Sequence, residues 1–250
     1  MQPVEELMLK MADDALIIGH RNSEWTGLGP ILEEDIAFSS MAQDKIGHAL
    51  ALYKILHEQF GEPDSDLLAF HRGEKDFKCC HLVEFPIGEY DFTTARHFLF
   101  DNAEILRYEL LLQSSFEPLA RLAKKIHGEL KYHLLHANSW FTRLGRGTEE
   151  SHARMQSALN STYPLAPGIF EASPFEKELI ELKVFPGEKV LHEMWEEKVH
   201  ALIGEAHLQI PSVKDATIGM GGRNGYHTEH LQPLLNEMSE VFRLEENVEW

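Results

Sequence analysis

The chain has 250 residues, of which 43% are hydrophobic and 26% are charged, a composition typical of a globular protein. Its 41 acidic residues outnumber 23 basic residues, which gives a formal net charge of −18. This charge argues against nucleic acid and anionic membrane surfaces as principal partners, because both bind clustered lysine and arginine. A basic partner or an apolar interface is favoured instead.

The N-terminal residues do not resemble a signal peptide, since Glu5 and Glu6 stand where a cationic start would lie. No apolar stretch approaches the roughly 18 residues of a membrane span. The two cysteines, Cys79 and Cys80, are adjacent and form no CxxC pair, so we expect two reduced thiols. The sequence therefore predicts a cytoplasmic protein without a membrane segment.

Four long helices are predicted in the first 145 residues, because helix formers dominate and glycine or proline breakers separate them. They run from about Val4 to Glu24, from about Leu32 to before Gly61, from about Phe92 to before Pro118, and from about Glu117 to Leu144. Thr93 or Asp91 is the expected cap of the third helix. Gly145 and Gly147 are expected to end the fourth.

Residues 64–90 form a long connection between the second and third helices, with several apolar residues and short structure of their own. Two helix pairs joined by one long crossover are typical of ferritin-like bundles. Further helical patterns follow near residues 149–161, 187–208 and 229–243. The sequence therefore predicts one all-α domain over residues 1–250, with a ferritin-like four-helix bundle at about 4–145 and flanking helices at about 149–245.

One carboxylate interrupts the apolar seam of each predicted bundle helix, where seam positions repeat at steps of three and four. The four residues are Asp13, Asp44, Asp101 and Glu129. A buried carboxylate is costly unless it is paired, protonated or bound to a metal. We therefore expect the four carboxylates to converge inside the bundle as one polar layer.

The layer departs from the ligand pattern of carboxylate-bridged di-iron bundles. Those bundles place a histidine three residues after a carboxylate on two of the four helices. The positions three after Asp44 and Glu129 hold Gly47 and Tyr132 instead. Three of the four carboxylates are also aspartates, whose shorter side chains make a bridged site harder to close.

Two histidines, His48 and His133, lie four residues after Asp44 and Glu129, and a step of four stays on one helical face. They leave two interpretations open. One is a modified metal site in which both histidines are ligands. The other is a metal-free polar layer held by hydrogen bonds and a cation, for which Lys45 and Lys131 are candidates.

Several longer motifs are distinctive as whole segments. They are Gly19–Gly27, Ile31–Asp35, Asp44–Gly47, Tyr132–Leu134, Ser139–Phe141, Leu144–Thr148 and Gly221–Leu231. Together they resemble the C-subunit family of bacterial phenylacetyl-CoA epoxidases, the ring-1,2-epoxidases of phenylacetate breakdown. The resemblance covers essentially the whole chain, and the last segment is its most specific part.

The resemblance implies a role that spacing alone does not give. In that family a related A subunit carries the di-iron centre, a reductase subunit supplies electrons, and the substrate is phenylacetyl-CoA. The C subunit is a ferritin-like paralogue with a degenerate site that scaffolds the A subunit. The resemblance thus implies a hetero-oligomer or a homodimer, no catalytic residue, and no cofactor or metal in this chain.

Two other functions stay open at this point. One is a catalytic di-metal oxygenase subunit with a shifted ligand set, namely Asp13, Asp44, His48, Asp101, Glu129 and His133. The other is a standalone protein that binds an acyl-CoA. Metal content and capture of a catalytic partner would separate these from a scaffold.

The segment Gly219–Gly225 is rich in glycine and contains Arg223. It lacks the Lys-Ser/Thr end of a P-loop, so it predicts either a structural turn or an anion site in which Arg223 meets a CoA phosphate. Next to it, His227 and His230 could form a metal pair, but helix capping is the favoured interpretation.

Overall fold

The computed structural model describes residues 2–213, 215 and 217–244. Within those ranges the regular elements are all helical, as the sequence predicts. The helices are α1 Pro3–Ser23, α2 Leu32–Phe60, α3 Ser65–Phe70, α4 His81–Glu84, α5 Tyr90–Leu111, α6 Glu117–Gly145, α7 Glu149–Thr162, α8 Glu176–Glu181, α9 Glu188–Glu205, α10 Leu231–Met238 and α11 Glu240–Leu244. Across the described residues, no helix is long and apolar enough to cross a membrane.

The predicted order of two long helices, a long crossover and two more long helices is confirmed by α1, α2, α5 and α6. The crossover contains α3, α4 and a short 3-10 helix at Glu74–Asp76. Its first helix is capped by Asp64, whose carboxylate accepts from the backbone N–H groups of Asp66 and Leu67. The chain therefore leaves α2 at Gly61, in a left-handed conformation, and restarts at a side-chain cap.

Two local expectations are wrong. The third long helix begins at Tyr90, and neither Asp91 nor Thr93 caps it, because Glu89 precedes the helix and Thr93 donates its hydroxyl to the Ile87 carbonyl. The helix expected near residues 229–243 is interrupted at Ser239, which separates α10 from α11. The predicted end of the flanking helices at residue 245 lies outside the described residues.

The chain folds into two compact units, each made of two segments that are distant in sequence. Unit one comprises residues 1–4 and 87–220, and unit two comprises residues 5–86 and 221–250. Unit one therefore contains α5 to α9, whereas unit two contains α1 to α4, α10 and α11. The prediction of one domain over residues 1–250 stays a prediction.

Helix α5 forms the centre of unit one and packs on α6, α7 and α9. The rings of Phe98 and Phe141 stack at 3.6 Å between centroids, and Trp195 donates its indole N–H to the Leu99 carbonyl at 2.9 Å. The apolar face of α9, which includes Leu191 and Val199, is buried. Its helical spacing thus reflects packing in the core.

In unit two, the turn that precedes α10 closes against the crossover segment. A Cβ atom on Gly222 would clash with the Cys79 carbonyl, and one on Gly225 would clash with the Lys75 carbonyl. Gly225 also has a φ angle of +79°, which glycine tolerates readily. We call residues 221–229 the C-terminal turn. Its glycines allow the backbone to approach the crossover closely.

Candidate functional site

Asp13 lies at the centre of a buried polar cluster in unit two. Its Oδ1 accepts from the Tyr53 hydroxyl at 2.6 Å and from Arg72 at 2.5 Å. Its Oδ2 accepts from Arg72 at 3.0 Å and from the backbone N–H of Lys78 at 2.7 Å. A carboxylate has about four acceptor positions, so these four bonds occupy all of them. Asp13 is held as a bidentate arginine partner.

The electrostatics of this cluster keep Arg72 charged and Tyr53 neutral. Burial lowers the pKa of Arg72, but the neighbouring Asp13 and the Tyr53 oxygen outweigh it, so the pKa lies above its usual range. Burial, and then the charge of Asp13, raise the pKa of Tyr53 well above its ordinary value. The arginine supplies the positive charge that a metal ion would otherwise bring to Asp13.

The four predicted seam carboxylates are not equally buried. Asp13 and Asp101 are fully buried, whereas Asp44 and Glu129 are partly exposed. Lys45 and Leu130, the next residues along α2 and α6, are fully buried instead. A strict alternation of threes and fours drifts from the 3.6-residue period of a straight helix. The convergence of all four carboxylates stays a prediction.

Asp101 has a histidine partner that the sequence analysis did not single out. Its Oδ2 lies 2.9 Å from Nδ1 of His97, one turn earlier on α5, and both side chains are buried. A histidine four residues from a carboxylate was a recognisable signal in the sequence. His97 precedes Asp101, however, whereas in the expected motif the histidine follows the carboxylate. The predicted shifted ligands His48 and His133 are also buried.

The cation that faces Asp13 is Arg72 of the crossover, whereas the role of Lys45 or Lys131 as a cation of the carboxylate layer stays a prediction. Lys45 is buried, as expected of an inward residue, whereas Lys131 is exposed on α6. Arg72 is 59 residues from Asp13 in sequence. Its guanidinium also lies over the Phe77 ring, 4.1 Å from the centroid, which fixes its plane.

A second buried ion pair joins Asp14 to Arg223 of the C-terminal turn. The guanidinium binds both carboxylate oxygens, at 2.8 and 2.7 Å, and also donates to the Lys78 carbonyl. The other Asp14 contact is the backbone N–H of Cys80. Arg223 is only 3% exposed, so the anion-binding interpretation of this segment is wrong and the structural turn is correct.

Glu84 organises the other end of the C-terminal turn. Its Oε1 lies 2.7 Å from Nδ1 of His227, and its Oε2 accepts from both the backbone N–H and the hydroxyl of Thr228. Burial raises the pKa of Glu84, but these hydrogen bonds outweigh it and leave the pKa below its usual value. His227 is thus paired with Glu84, not with His230 as the metal-pair alternative required.

The lowered pKa of His20 predicts that the protein loses stability as the pH falls. Burial, and then the charge of Arg21, lower its pKa from 6.5 to about 4. Below pH 6.5 the unfolded chain takes up a proton that the folded chain refuses, so stability falls between pH 6.5 and about 4. We expect His20 to contribute about 1–2 kcal/mol of lost stability at pH 5 relative to pH 7.

Urea unfolding at both pH values checks this expectation, with His20→Gln as the comparison. The variant lacks the titrating group, so its unfolding free energy should fall less on acidification. An identical pH dependence in the two proteins would contradict the assignment to His20.

Comparisons with known proteins agree with the motifs quoted above. The model of the phenylacetic acid catabolic protein family matches residues 1–250. Over 242 residues the chain is 34% identical to the C subunit of the 1,2-phenylacetyl-CoA epoxidase of Escherichia coli (strain K12), covering 97% of each chain. The family is ferritin-like and all-α, so the predicted fold class is confirmed.

Proposed function

Because the chain belongs to the phenylacetic acid catabolic protein family, we propose that it is the structural C-type subunit of a multicomponent 1,2-phenylacetyl-CoA epoxidase. In this role it binds and positions the catalytic A subunit, which carries the di-iron centre, during aerobic phenylacetate degradation in the cytoplasm. The chain itself contributes no catalytic or iron-binding residue. The assembly is a hetero-oligomer.

The observation that carries this proposal is the environment of Asp13. In a di-iron bundle each of the four helices offers a carboxylate to the metal pair. Here four protein donors occupy Asp13, and two of them belong to one arginine. An iron ion at this position would have to displace the partly buried guanidinium of Arg72, which would then be left without its carboxylate. The residues around Asp13 therefore do not fit an iron site.

Helix α2 offers a surface for the catalytic subunit. Leu32, Ile36, Ile46 and Leu50 are between 37% and 70% exposed. Their positions fall on one helical face, since steps of four, ten and four residues stay within about a quarter of a turn. We call these four side chains the α2 face. Ser39 and Gln43 lie on the same face between Ile36 and Ile46, so the face presents two exposed apolar pairs with a polar centre. Apolar side chains mixed with polar ones are typical of interfaces between subunits.

The alternative is a catalytically active di-metal subunit with shifted ligands. The burial of His48 and His133 supports this alternative, because the metal ligands of helix bundles lie at inward-facing positions. It differs from the scaffold in one measurable property: a catalytic chain purified with iron supplied would hold about two irons.

Co-expression with the catalytic subunit tests the proposal. We expect the two chains to elute together from a size-exclusion column and iron to be found in the catalytic chain alone. Epoxidation of phenylacetyl-CoA should require both chains and a reductase. Separate elution at micromolar concentration, or about two irons in this chain purified alone, would contradict the scaffold role.

Asp44→Asn separates the two candidates within this chain. Asp44 is partly exposed and asparagine keeps its shape, so we expect unfolding free energy to change by about 1 kcal/mol or less. Iron content, measured by mass spectrometry of elements, should stay at background in both proteins. Asp66→Asn, at an exposed position, controls for the loss of one carboxylate. Stoichiometric iron that Asp44→Asn removes would establish the catalytic alternative.

A further inference from the structure

We propose that Cys79, Glu84 and His227 form a binding site for one zinc ion. The three residues lie in unit two, where Cys79 and Glu84 belong to the crossover and His227 to the C-terminal turn. This inference does not use the proposed function, which concerns iron and the catalytic partner.

The three ligand atoms have the spacing of a metal triad. The Cys79 sulfur lies 3.7 Å from Glu84 Oε1 and 3.9 Å from His227 Nδ1, and Oε1 and Nδ1 are 2.7 Å apart. A point equidistant from the three atoms lies about 2 Å from each, close to Zn–O, Zn–N and Zn–S bond lengths of about 2.0–2.3 Å. An ion therefore fits among them with small shifts of the side chains.

The hydrogen bonds of His227 orient it as a metal ligand. Its Nε2 lies 3.0 Å from the Phe77 carbonyl, which can only accept, so Nε2 carries a proton. In neutral imidazole Nδ1 then carries a lone pair, and it faces the carboxylate of Glu84. Two acceptors at that distance require a proton or a cation between them. Zinc-bound histidines characteristically donate their other N–H to a carbonyl or carboxylate in this way.

Hydrogen bonds also fix the orientation of the Glu84 carboxylate. Thr228 donates twice to Oε2, which leaves Oε1 directed at His227 and Cys79. The side chains of Glu84 and His227 are wholly buried, and Cys79 is too. Hydrogen bonds that orient a ligating carboxylate are a regular feature of metal sites.

The charges of the trio suit a divalent cation. Binding would release the thiol proton of Cys79, and the thiolate and the Glu84 carboxylate would together balance the charge of Zn²⁺. Cysteine, histidine and carboxylate together suit zinc, and a water molecule would complete four-fold coordination.

The full-length protein, stripped with a chelator and then given ZnCl₂, tests the site. After removal of free metal we expect one zinc per chain by elemental mass spectrometry. With CoCl₂ we expect the strong near-ultraviolet band of thiolate-to-cobalt charge transfer, which reports a cysteine ligand. Iron is measured in the same samples, so this result is distinguishable from that of the proposed function.

Cys80 provides a matched control, because it is adjacent and equally buried but lies outside the trio. Cys79→Ser should lose the cobalt band and at least tenfold in zinc affinity, whereas Cys80→Ser should keep both. His227→Gln should weaken zinc binding in the same direction, and far-ultraviolet circular dichroism checks that each variant folds. Absence of bound zinc and of a cobalt band in the wild-type protein would overturn the proposal, as would equal behaviour of the two cysteine variants.

Discussion

Replacing Arg72 by alanine is expected to lower the free energy of unfolding by about 3–5 kcal/mol. The substitution removes both guanidinium bonds to Asp13, whose side chain is wholly buried and would keep an unpaired charge. Tyr53 and the Lys78 backbone N–H would remain as neutral donors, which cannot replace a full positive charge. Urea unfolding followed by circular dichroism measures the loss.

Two comparisons make that expectation specific. Arg121→Ala removes an exposed ion pair with Glu117, so its effect should stay below about 1 kcal/mol. Combining Arg72→Met with Asp13→Asn should recover part of the loss, because no unpaired charge is left in the interior. A single Arg72 variant as stable as Arg121→Ala would show that Asp13 is compensated by something other than this arginine.

Aspartate at both Ile36 and Leu50 is expected to weaken binding of the catalytic subunit by at least a hundredfold. The α2 face would then bury two charges in an apolar interface, which costs about 3 kcal/mol or more. Both side chains are exposed in the isolated chain, so the folded protein itself should be nearly unaffected. Co-purification and size-exclusion of the co-expressed chains measure the change.

Leu182→Asp is the matched control for the α2 face. Leu182 is 53% exposed and follows α8 in unit one, far from α2 in sequence. This variant should leave the complex intact. Retention of the complex by the double α2 variant at micromolar concentration would exclude the α2 face as the docking surface.

The long helices could be predicted because their signals are local. Gly61 and Pro63 end α2, and the apolar period of α9 marks its buried face. The short helices of the crossover could not be bounded in the same way. Six- and four-residue helices such as α3 and α4 span too few turns for a period to show, and tertiary packing decides where they form.

In the buried polar cluster, the sequence pointed to the carboxylate but not to its partner. Asp13 is conspicuous as a charge in an apolar seam, which is why the sequence pointed to it. Its partner Arg72 carries no comparable signal, because arginine in a polar connection looks like any solvated residue. The same holds for Cys79 and Glu84, which meet His227 from about 150 residues away. Sequence spacing predicts contacts within a helix, but not contacts that loop closure creates.

The pairing of Asp14 with Arg223 has a consequence for the order of events during synthesis. Their 209-residue separation corresponds to about 10–40 s of translation at elongation rates of about 5–20 residues per second. Over that interval residues 87–220 of unit one are synthesised, while the Asp14 carboxylate is present without Arg223. Until the C-terminal turn is synthesised, the Asp14 carboxylate therefore lacks the guanidinium with which it pairs in the folded chain.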